Sequence, residues 1–384
     1  MPVMMEFNQL TRKEVENKKV LLRLDLNVPL KGKEILDKTR IDVAIGSINF
    51  VLSFYPKQII ILAHLGRPKG YDESMSLAPI VRYMKEHLEC SIELVSLEDA
   101  FSKMPSSKVV CIENIRFYDG EESNSPDFAK RLSQLAQIYV NDAFSVMHRK
   151  HASTYGIASY LPSYIGKNAL NEIKNLDFSE PERPFVVVLG GKKLETKLAL
   201  VESLVEKADK LLIGGAMAFT FLKAEGYETG KSLVEDEFLN DAKRLISKGK
   251  IILPQDFICA HSFESNESIL REKGEIKADE IGLDIGAKTI NLFESYLKEA
   301  RLIFWNGAMG VFEKEQFASG TEGIIRAIKD SNARKIAGGG ETIQAIKEFK
   351  AMNDFDFISM GGGAALDYIA YGTLPCLEIL TKKD

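Results

Sequence analysis

The second half of this chain carries glycine clusters at one recurring place, each after a short apolar run of strand character. Phe185–Leu189 runs into Gly190-Gly191, Leu211–Ile213 into Gly214-Gly215, and Lys335–Ala337 into Gly338-Gly339-Gly340. Phe357–Ser359 precedes Gly361-Gly362-Gly363 by one residue. Strand, glycine turn, helix is the unit that brings backbone N–H groups and a helix N-terminus up to a phosphate. Four such units at the same end of one parallel sheet would form a floor for a polyphosphate.

At 384 residues the chain is long enough for two domains with full cores. It is 45% hydrophobic and 27% charged, as in soluble globular enzymes. No apolar stretch reaches transmembrane length, and Met1–Thr11 lacks a basic region followed by an apolar one. The expectation is a cytoplasmic protein with no membrane partner. Cys90, Cys111, Cys259 and Cys376 lie far apart with no C-x-x-C pair, which argues against structural zinc and a disulfide framework. Residues 1–167 carry a charge of +2 and residues 168–384 one of −7, so no nucleic-acid footprint is indicated.

Apolar strand candidates alternate with amphipathic helix candidates throughout, which predicts α/β layering with parallel sheets. The first-half strands are expected at Val20–Leu26, Gln58–Ala63, Val109–Ile112 and Ile138–Asn141, and the helices at Arg40–Ser53, Leu77–Glu86, Asp127–Ala136 and Gly166–Leu176. Asp177–Pro184, with two prolines, breaks regular structure and marks a domain boundary. Beyond it, Lys250–Leu253 and Leu302–Trp305 also read as strands, and Ala216–Glu225, Glu237–Lys248, Ala287–Glu299, Glu322–Lys329 and Thr342–Lys350 as helices. Two doubly wound, mainly parallel domains joined by a helix suggest a cleft, with ligands beyond the carboxyl ends of the strands.

The first half places charged side chains where the second places glycines. Asp25 and Asn27 share one side at the end of the first strand, and both can hold a hydroxyl. The loops after the other strands carry His64 and Arg67, Arg116, and Arg149, while Arg40 begins the first helix. Any one of these arginines reads best as solvated surface. Four on one sheet edge point to a small, highly anionic ligand, because the guanidinium fork binds phosphate or carboxylate in bidentate fashion. His64 alone reads equally as a satisfied core histidine. His148 and His151, with Arg149 between them and no carboxylate pair nearby, do not make a metal site.

On the second wall Gly190–Lys197 puts lysines just past a glycine turn without forming a Walker A loop. Lys193 and Lys197 are four apart and would share a helix face, able to neutralise phosphate oxygens, with Lys192 facing solvent. After Trp305-Asn306-Gly307, Glu313 is either a surface carboxylate or a ligand for ribose hydroxyls. Thr342 after Gly338–Glu341 reads as an N-cap, and Glu341 as a carboxylate able to carry Mg²⁺ beside phosphates.

Together these segments resemble the phosphoglycerate kinase family over essentially the whole chain. The strongest pieces are Arg23–Pro29, Ala63–Pro68, Glu113–Phe117, His148–Ser153, Gly214–Lys223, Trp305–Glu313, Gly338–Thr342 and Gly361–Ala364. The resemblance implies two Rossmann-like domains about a helical hinge: residues 1–167 for 3-phosphoglycerate or 1,3-bisphosphoglycerate, 168–184 as linker and hinge, and 185–373 for ATP or ADP with Mg²⁺. It also implies that the tail 374–384 packs back on the first domain, and that the chain is monomeric. By matching position, Asp25, Asn27, His64, Arg67, Arg116 and Arg149 would hold the phosphoglycerate. Arg40 would meet the substrate carboxylate and the phosphoryl group in flight. Lys197 would follow that phosphoryl group, with the backbone at Gly340 and Gly363. Gly191, Lys193, Gly215, Gly282 beside the adenine, Asn306, Glu313 on the ribose, and Gly339–Thr342 would form the nucleotide site, with Glu341 on the metal. Ser359 and Glu172 match the hinge region.

Several positions depart from the family pattern. Lys192 stands for an alanine, Thr196 for an aspartate, Ala216 for a glycine, Ala308 for a proline and Met360 for a threonine. Ser145-Val146-Met147 replaces Gly-Thr-Ala, and Glu341 stands where aspartate is usual. The extra methylene moves the metal ligand by ~1.5 Å, against a Mg²⁺–O bond of ~2.0–2.1 Å. The arginines and Lys197 are retained, so activity is expected. A non-catalytic nucleotide-binding homologue is the alternative that the substitutions suggest. A nicotinamide-dependent dehydrogenase is disfavoured, because no G-x-G-x-x-G follows a first strand with an acidic residue about 20 positions on.

Overall fold

The computed structural model describes residues 6–381. The chain divides into two compact units, one formed by residues 1–174 and 373–384 and the other by residues 175–372. Met1–Met5 and residues 382–384, the latter the end of the tail expected to pack back on the first domain, lie outside the described residues.

The first unit is built on six strands: β1 (Lys19–Arg23), β2 (Gln58–Leu62), β3 (Ile92–Val95), β4 (Val109–Ile112), β5 (Ile138–Asn141) and β6 (Ser163–Ile165). Their order is β3-β4-β2-β1-β5-β6, and every neighbouring pair is parallel. A parallel sheet is covered on both faces, so its strands must be apolar at every position rather than alternating. That is why Gln58-Ile-Ile-Ile-Leu62 and Val109-Val-Cys-Ile112 are buried throughout. Helices α1 (Thr39–Leu52), α2 (Ala78–His87), α3 (Pro126–Ser133) and α4 (Lys167–Leu176) supply the covering layers. The predicted first strand was longer: it stops at Arg23, where the chain leaves the ladder and turns toward Pro29. β3 and β6 carry partly exposed positions and lack the apolar signature of the central strands.

The division between the units falls inside α4, after Lys174. Its N-terminus is tied to the first unit, since Ala169 N–H donates to Asp142 Oδ1 at 2.8 Å and Gly166 N–H to the Asn141 carbonyl at 2.8 Å. Past the division, Arg334 donates to Asn175 Oδ1 at 2.7 Å, and Phe178 packs on Phe185 and Phe304 with centroids 5.0 and 5.3 Å away. The C-terminal segment belongs to the first unit. Cys376 N–H donates to the Met147 carbonyl at 3.1 Å, and Asn8 N–H to the Leu380 carbonyl at 3.2 Å.

The second unit has its own all-parallel sheet, made from β7 (Phe185–Leu189), β8 (Lys210–Ile213), β9 (Ile251–Ile252), β13 (Leu302–Asn306), β14 (Arg334–Gly338) and β15 (Phe357–Ser359), in the order β9-β8-β7-β13-β14-β15. Helices α5 (Leu198–Lys207), α6 (Ala218–Ala224), α7 (Leu239–Ile246), α8 (Ala287–Glu299), α9 (Ser319–Asp330), α10 (Gly340–Glu348) and α11 (Gly363–Tyr371) accompany it. A separate antiparallel sheet joins β10 (Asp256–Ala260), β11 (Ile269–Glu272) and β12 (Ile281–Ile285). The sequence reading missed it, because Asp256, Asp284 and the charged residues of β11 interrupt any clean apolar run.

Candidate functional site

Because all six strands of the second sheet are parallel, the glycine turns after β7, β8, β14 and β15 open at one edge, joined by the Asn306-Gly307 turn after β13. The turns lock together through their backbones. Gly190 N–H donates to the Asn306 carbonyl at 3.0 Å, and Gly191 N–H to the Ala308 carbonyl at 2.9 Å. Space here is set by the absence of Cβ atoms: one added at Gly190 would lie 2.1 Å from the Ala308 oxygen. Gly339 has φ +99°, open to glycine and costly for other residues, and it is the N-cap of α10.

Lys197 reaches into this edge. Its Nζ donates to the carbonyls of Gly190 at 2.6 Å and Asn306 at 3.2 Å. Burial pushes its pKa down to about 8, against a smaller upward pull from Glu341. A Cβ placed at Gly191 would stand 3.1 Å from Lys197 Nζ and 3.4 Å from Glu341 Oε2, so an ammonium and a carboxylate flank the same glycine. Lys193 and Lys197 do not share a helix face. Lys193 precedes the first helical turn, is exposed, and pairs with Glu195 at 3.6 Å, while Lys197 is the N-cap residue of α5. Thr342 is not the N-cap either: it lies within the first turn of α10, and its Oγ1 accepts from Gly307 N–H at 2.7 Å. Asn306 donates to the Gly338 carbonyl at 2.7 Å and keeps a buried Oδ1 with no partner.

A cavity of about 500 Å³ adjoins this edge. Gly191, Gly215, Gly282, Glu313 and Glu341 line it, as does Lys192, which is exposed as expected. The rest of the lining is largely apolar and was invisible to the sequence reading: Phe219, Phe257, Phe263, Leu233, Met309 and Phe312. Such residues look like ordinary core in a sequence, and only the fold leaves them facing empty space. Gly282 makes room for Phe219, whose ring would lie 2.1 Å from a Cβ there. Asp284 sits in the wall, accepts from Gly320 N–H at 2.7 Å, and is pushed up to about 7 by burial.

In the first unit, the charged residues gather at the carboxyl ends of β1, β2, β4 and β5. Asp25 accepts from Asn27 N–H at 3.0 Å, from Ser145 Oγ at 2.5 Å and from the Arg40 guanidinium. Asn27 Oδ1 accepts from Gly66 N–H at 2.9 Å. Arg116 is 7% exposed; its Nη1 donates to the Gly66 carbonyl, its Nε pairs with Glu122 at 3.1 Å, and its buried Nη2 has no hydrogen-bond partner. An unpaired buried guanidinium nitrogen costs free energy unless an acceptor arrives. His64 is 3% exposed, and burial followed by the positive charges of Arg23, Arg116, Arg40 and Arg149 holds its pKa well below the usual histidine value. Four cations thus surround a neutral imidazole. Arg67 is exposed and is not among them.

No group of three or more His, Cys, Asp or Glu side chains converges among the described residues. Glu341 alone, exposed beside Lys197, fits a cation that brings most of its ligands with it on phosphate oxygens. No helix among the described residues is long and apolar enough to cross a membrane.

The sequence pattern of the phosphoglycerate kinase family matches residues 10–371. The phosphoglycerate kinase of Rubrobacter xylanophilus is 41% identical over 383 residues, covering 97% of each chain. That of Dictyoglomus turgidum is 40% identical over 385 residues, covering 96% of this chain and 97% of its own. The solved phosphoglycerate kinase of Coxiella burnetii superposes with a TM-score of 0.90 at 35% identity, over 97% of this chain and 98% of its own. That of Pyrococcus horikoshii superposes with 0.83 at 30% identity, with the same coverage. Two parallel sheets, one edged with arginines and the other with glycine turns, in a chain matched over nearly its full length, place this protein in the phosphoglycerate kinase family.

Proposed function

We propose that the chain transfers a phosphoryl group reversibly between 1,3-bisphosphoglycerate and ADP, giving 3-phosphoglycerate and ATP, with a carboxylate as the acceptor in the reverse direction. The observation that carries this reading is the Lys197 ammonium, held by two carbonyls at the meeting point of the glycine turns and flanked by Glu341.

The chemistry asks little of acid–base groups. A β-phosphate oxygen of ADP bonds to phosphorus, the acyl C–O–P linkage breaks at its O–P bond, and the leaving carboxylate keeps the electron pair. No proton moves, which suits a first-unit site whose histidine is neutral and whose cations are arginines. What the step needs is in-line alignment and charge neutralisation on the moving phosphoryl group. Lys197 supplies a positive charge, and the backbone N–H groups at Gly340 and Gly363, each opening a helix, supply fixed dipoles. Mg²⁺, held through Glu341 and nucleotide phosphates, would neutralise further charge. The nucleoside would occupy the aromatic cavity, with Glu313 at the ribose and Gly191, Gly215, Gly282, Asn306, Gly339 and Thr342 shaping the site. Lys193 would reach the nucleotide phosphates, with Lys192 beside it on the cavity lining.

At the other sheet edge, 3-phosphoglycerate would meet Asp25 and Asn27 with its hydroxyl end. Its phosphate would meet His64, Arg67, Arg116 and Arg149, and its carboxylate Arg40. The unpartnered Arg116 Nη2 supports an anionic ligand there.

The test is ATP-dependent acyl-phosphate formation from 3-phosphoglycerate, trapped with hydroxylamine, in Mg²⁺ and then in Mn²⁺. Product in either metal is expected, and the ratio reports how Glu341 sets metal preference. Intact ATP binding without product in either would overturn the reading.

A further inference from the structure

Arg23 ends β1, where a charged side chain is expected to reach solvent, yet it is only 1% exposed. Its guanidinium is used in three directions. Nε donates to Ser153 Oγ at 3.0 Å, Nη1 donates to the Leu24 carbonyl at 2.5 Å, and Nη2 lies 3.1 Å from His64 Nδ1. A guanidinium has donors only and keeps its proton at any accessible pH. His64 Nδ1 must therefore accept. In a neutral imidazole the remaining proton then sits on Nε2. An imidazolium would set N–H against N–H at this contact, which agrees with the depressed pKa of the ring.

The chain of donors continues behind Arg23. Ser153 Oγ donates to Glu121 Oε1 at 2.6 Å, which leaves its lone pairs to accept from Arg23. Glu121 Oε2 accepts from Ser153 N–H at 2.9 Å, and Tyr139 Oη donates to the Ser153 carbonyl at 2.8 Å. Arg23, Glu121, Tyr139 and Ser153 are all 1% exposed or less. Both Arg23 bonds run one way because a guanidinium only donates, so Glu121 orients Ser153, Ser153 orients Arg23, and Arg23 orients His64.

We propose that Arg23, backed by Ser153 and Glu121, is a positioning residue that holds His64 as the neutral Nε2–H tautomer and so makes it an obligate hydrogen-bond donor to the anionic substrate. This rests on the reading that 3-phosphoglycerate binds at this sheet edge. The arginines around it supply charge; His64 adds a single directed donor that cannot turn into an acceptor. Nε2–H donates to a substrate oxygen, and a group offering only N–H donors is refused.

The test reads the tautomer directly. Long-range ¹H–¹⁵N correlation spectra of histidine-labelled protein should give His64 the Nε2–H pattern in the unliganded state. Arg23→Met should replace it by a mixed or protonated pattern and raise KM for 3-phosphoglycerate about 10–100-fold, with a smaller change in kcat. Arg23→Lys, which restores a donor, should recover part of both. His64→Gln, whose amide N–H₂ takes the place of Nε2–H, should keep more affinity than His64→Asn, which reproduces Nδ1 instead. Should Arg23→Met fail to fold, Ser153→Ala removes the support one step back, and the same spectral shift is expected. An Nδ1–H or imidazolium pattern in the native protein, or an unchanged pattern in the variant that folds, overturns the proposal. An Nε2–H pattern in a protein with no affinity for 3-phosphoglycerate upholds the positioning role and overturns the substrate assignment.

Discussion

The two units carry their candidate anion sites at the carboxyl ends of parallel strands, and build them from opposite materials. The first uses long charged side chains: Arg40, Arg116 and Arg149 around a buried His64, each held by carboxylates, carbonyls or a neighbouring ring. The second uses almost no side chain. Its edge is glycine backbone, with the half-buried Lys197 bonded into it. The difference follows from ligand shape. A small compact anion is gripped best by planar forks from several directions, whereas a chain of phosphates needs a concave surface that backbone can approach closely. The first kind of site fails when charge is removed, and the second when a methyl group is added.

The largest expected effect is on that one cation. Lys197→Ala should slow phosphoryl transfer about 10²–10³-fold, the usual cost of removing one preorganised donor, with 3-phosphoglycerate affinity nearly unchanged. Single-turnover kinetics beside a binding titration would check both halves, and equal activity would remove Lys197 from the mechanism. Next comes a methyl group on the glycine floor. Gly190→Ala puts its Cβ 2.1 Å from the Ala308 oxygen and should cost about 2–3 kcal/mol in chemical denaturation, with loss of nucleotide binding. Gly340→Ala is the control: a Cβ there meets nothing within 4 Å, so stability should move by less than about 0.5 kcal/mol while nucleotide affinity falls. A large stability loss at Gly340 would mean that the floor is set by packing rather than by the ligand.

A charge removed from the other wall should act more gently. Arg67 is exposed, so Arg67→Ala should weaken 3-phosphoglycerate about tenfold, and less at high salt, leaving nucleotide affinity alone. Unchanged 3-phosphoglycerate affinity would displace it from the site. The smallest effect is a proton. Burial pushes the Lys197 pKa down to about 8 from its ordinary 10.5, so between those values the unfolded chain holds more protons than the folded one. The cost of burying this charge is thus present below about pH 8 and fades as pH rises through that window. A polyphosphate restores the missing counter-charge, so nucleotide binding at pH 8–9 should take up a proton, seen as a buffer-dependent binding enthalpy. The same enthalpy in every buffer would mean that Lys197 keeps its charge without ligand.

Much of this layout was legible in advance, and for a definite reason. Strands buried on both faces of a parallel sheet must be continuous apolar runs, so Phe185–Leu189, Val109–Ile112 and Ile138–Asn141 stand out residue for residue. Glycine turns and strand-end arginines mark where those strands stop. The antiparallel sheet around Asp256–Ala260 was not legible, since its strands are short and broken by charge. The cavity wall was hidden as well, because Phe219, Phe257 and Met309 carry no signal that separates lining from core.

The sequence by itself determined the two parallel sheets, the strand ends that carry charge or glycine, and the family, because these depend on local composition and spacing. Only the tertiary structure decided which partners those groups meet. It turned Lys197 inward and left Lys193 outside, gave Lys192 a place on the cavity, and moved Thr342 from cap to crosslink. It also buried Arg23 against His64, Ser153 and Leu24. The deciding contacts, Lys197 with Asn306, Gly307 with Thr342 and Arg23 with His64 and Ser153, join residues far apart in sequence, and their directions are fixed only once those residues share one desolvated space.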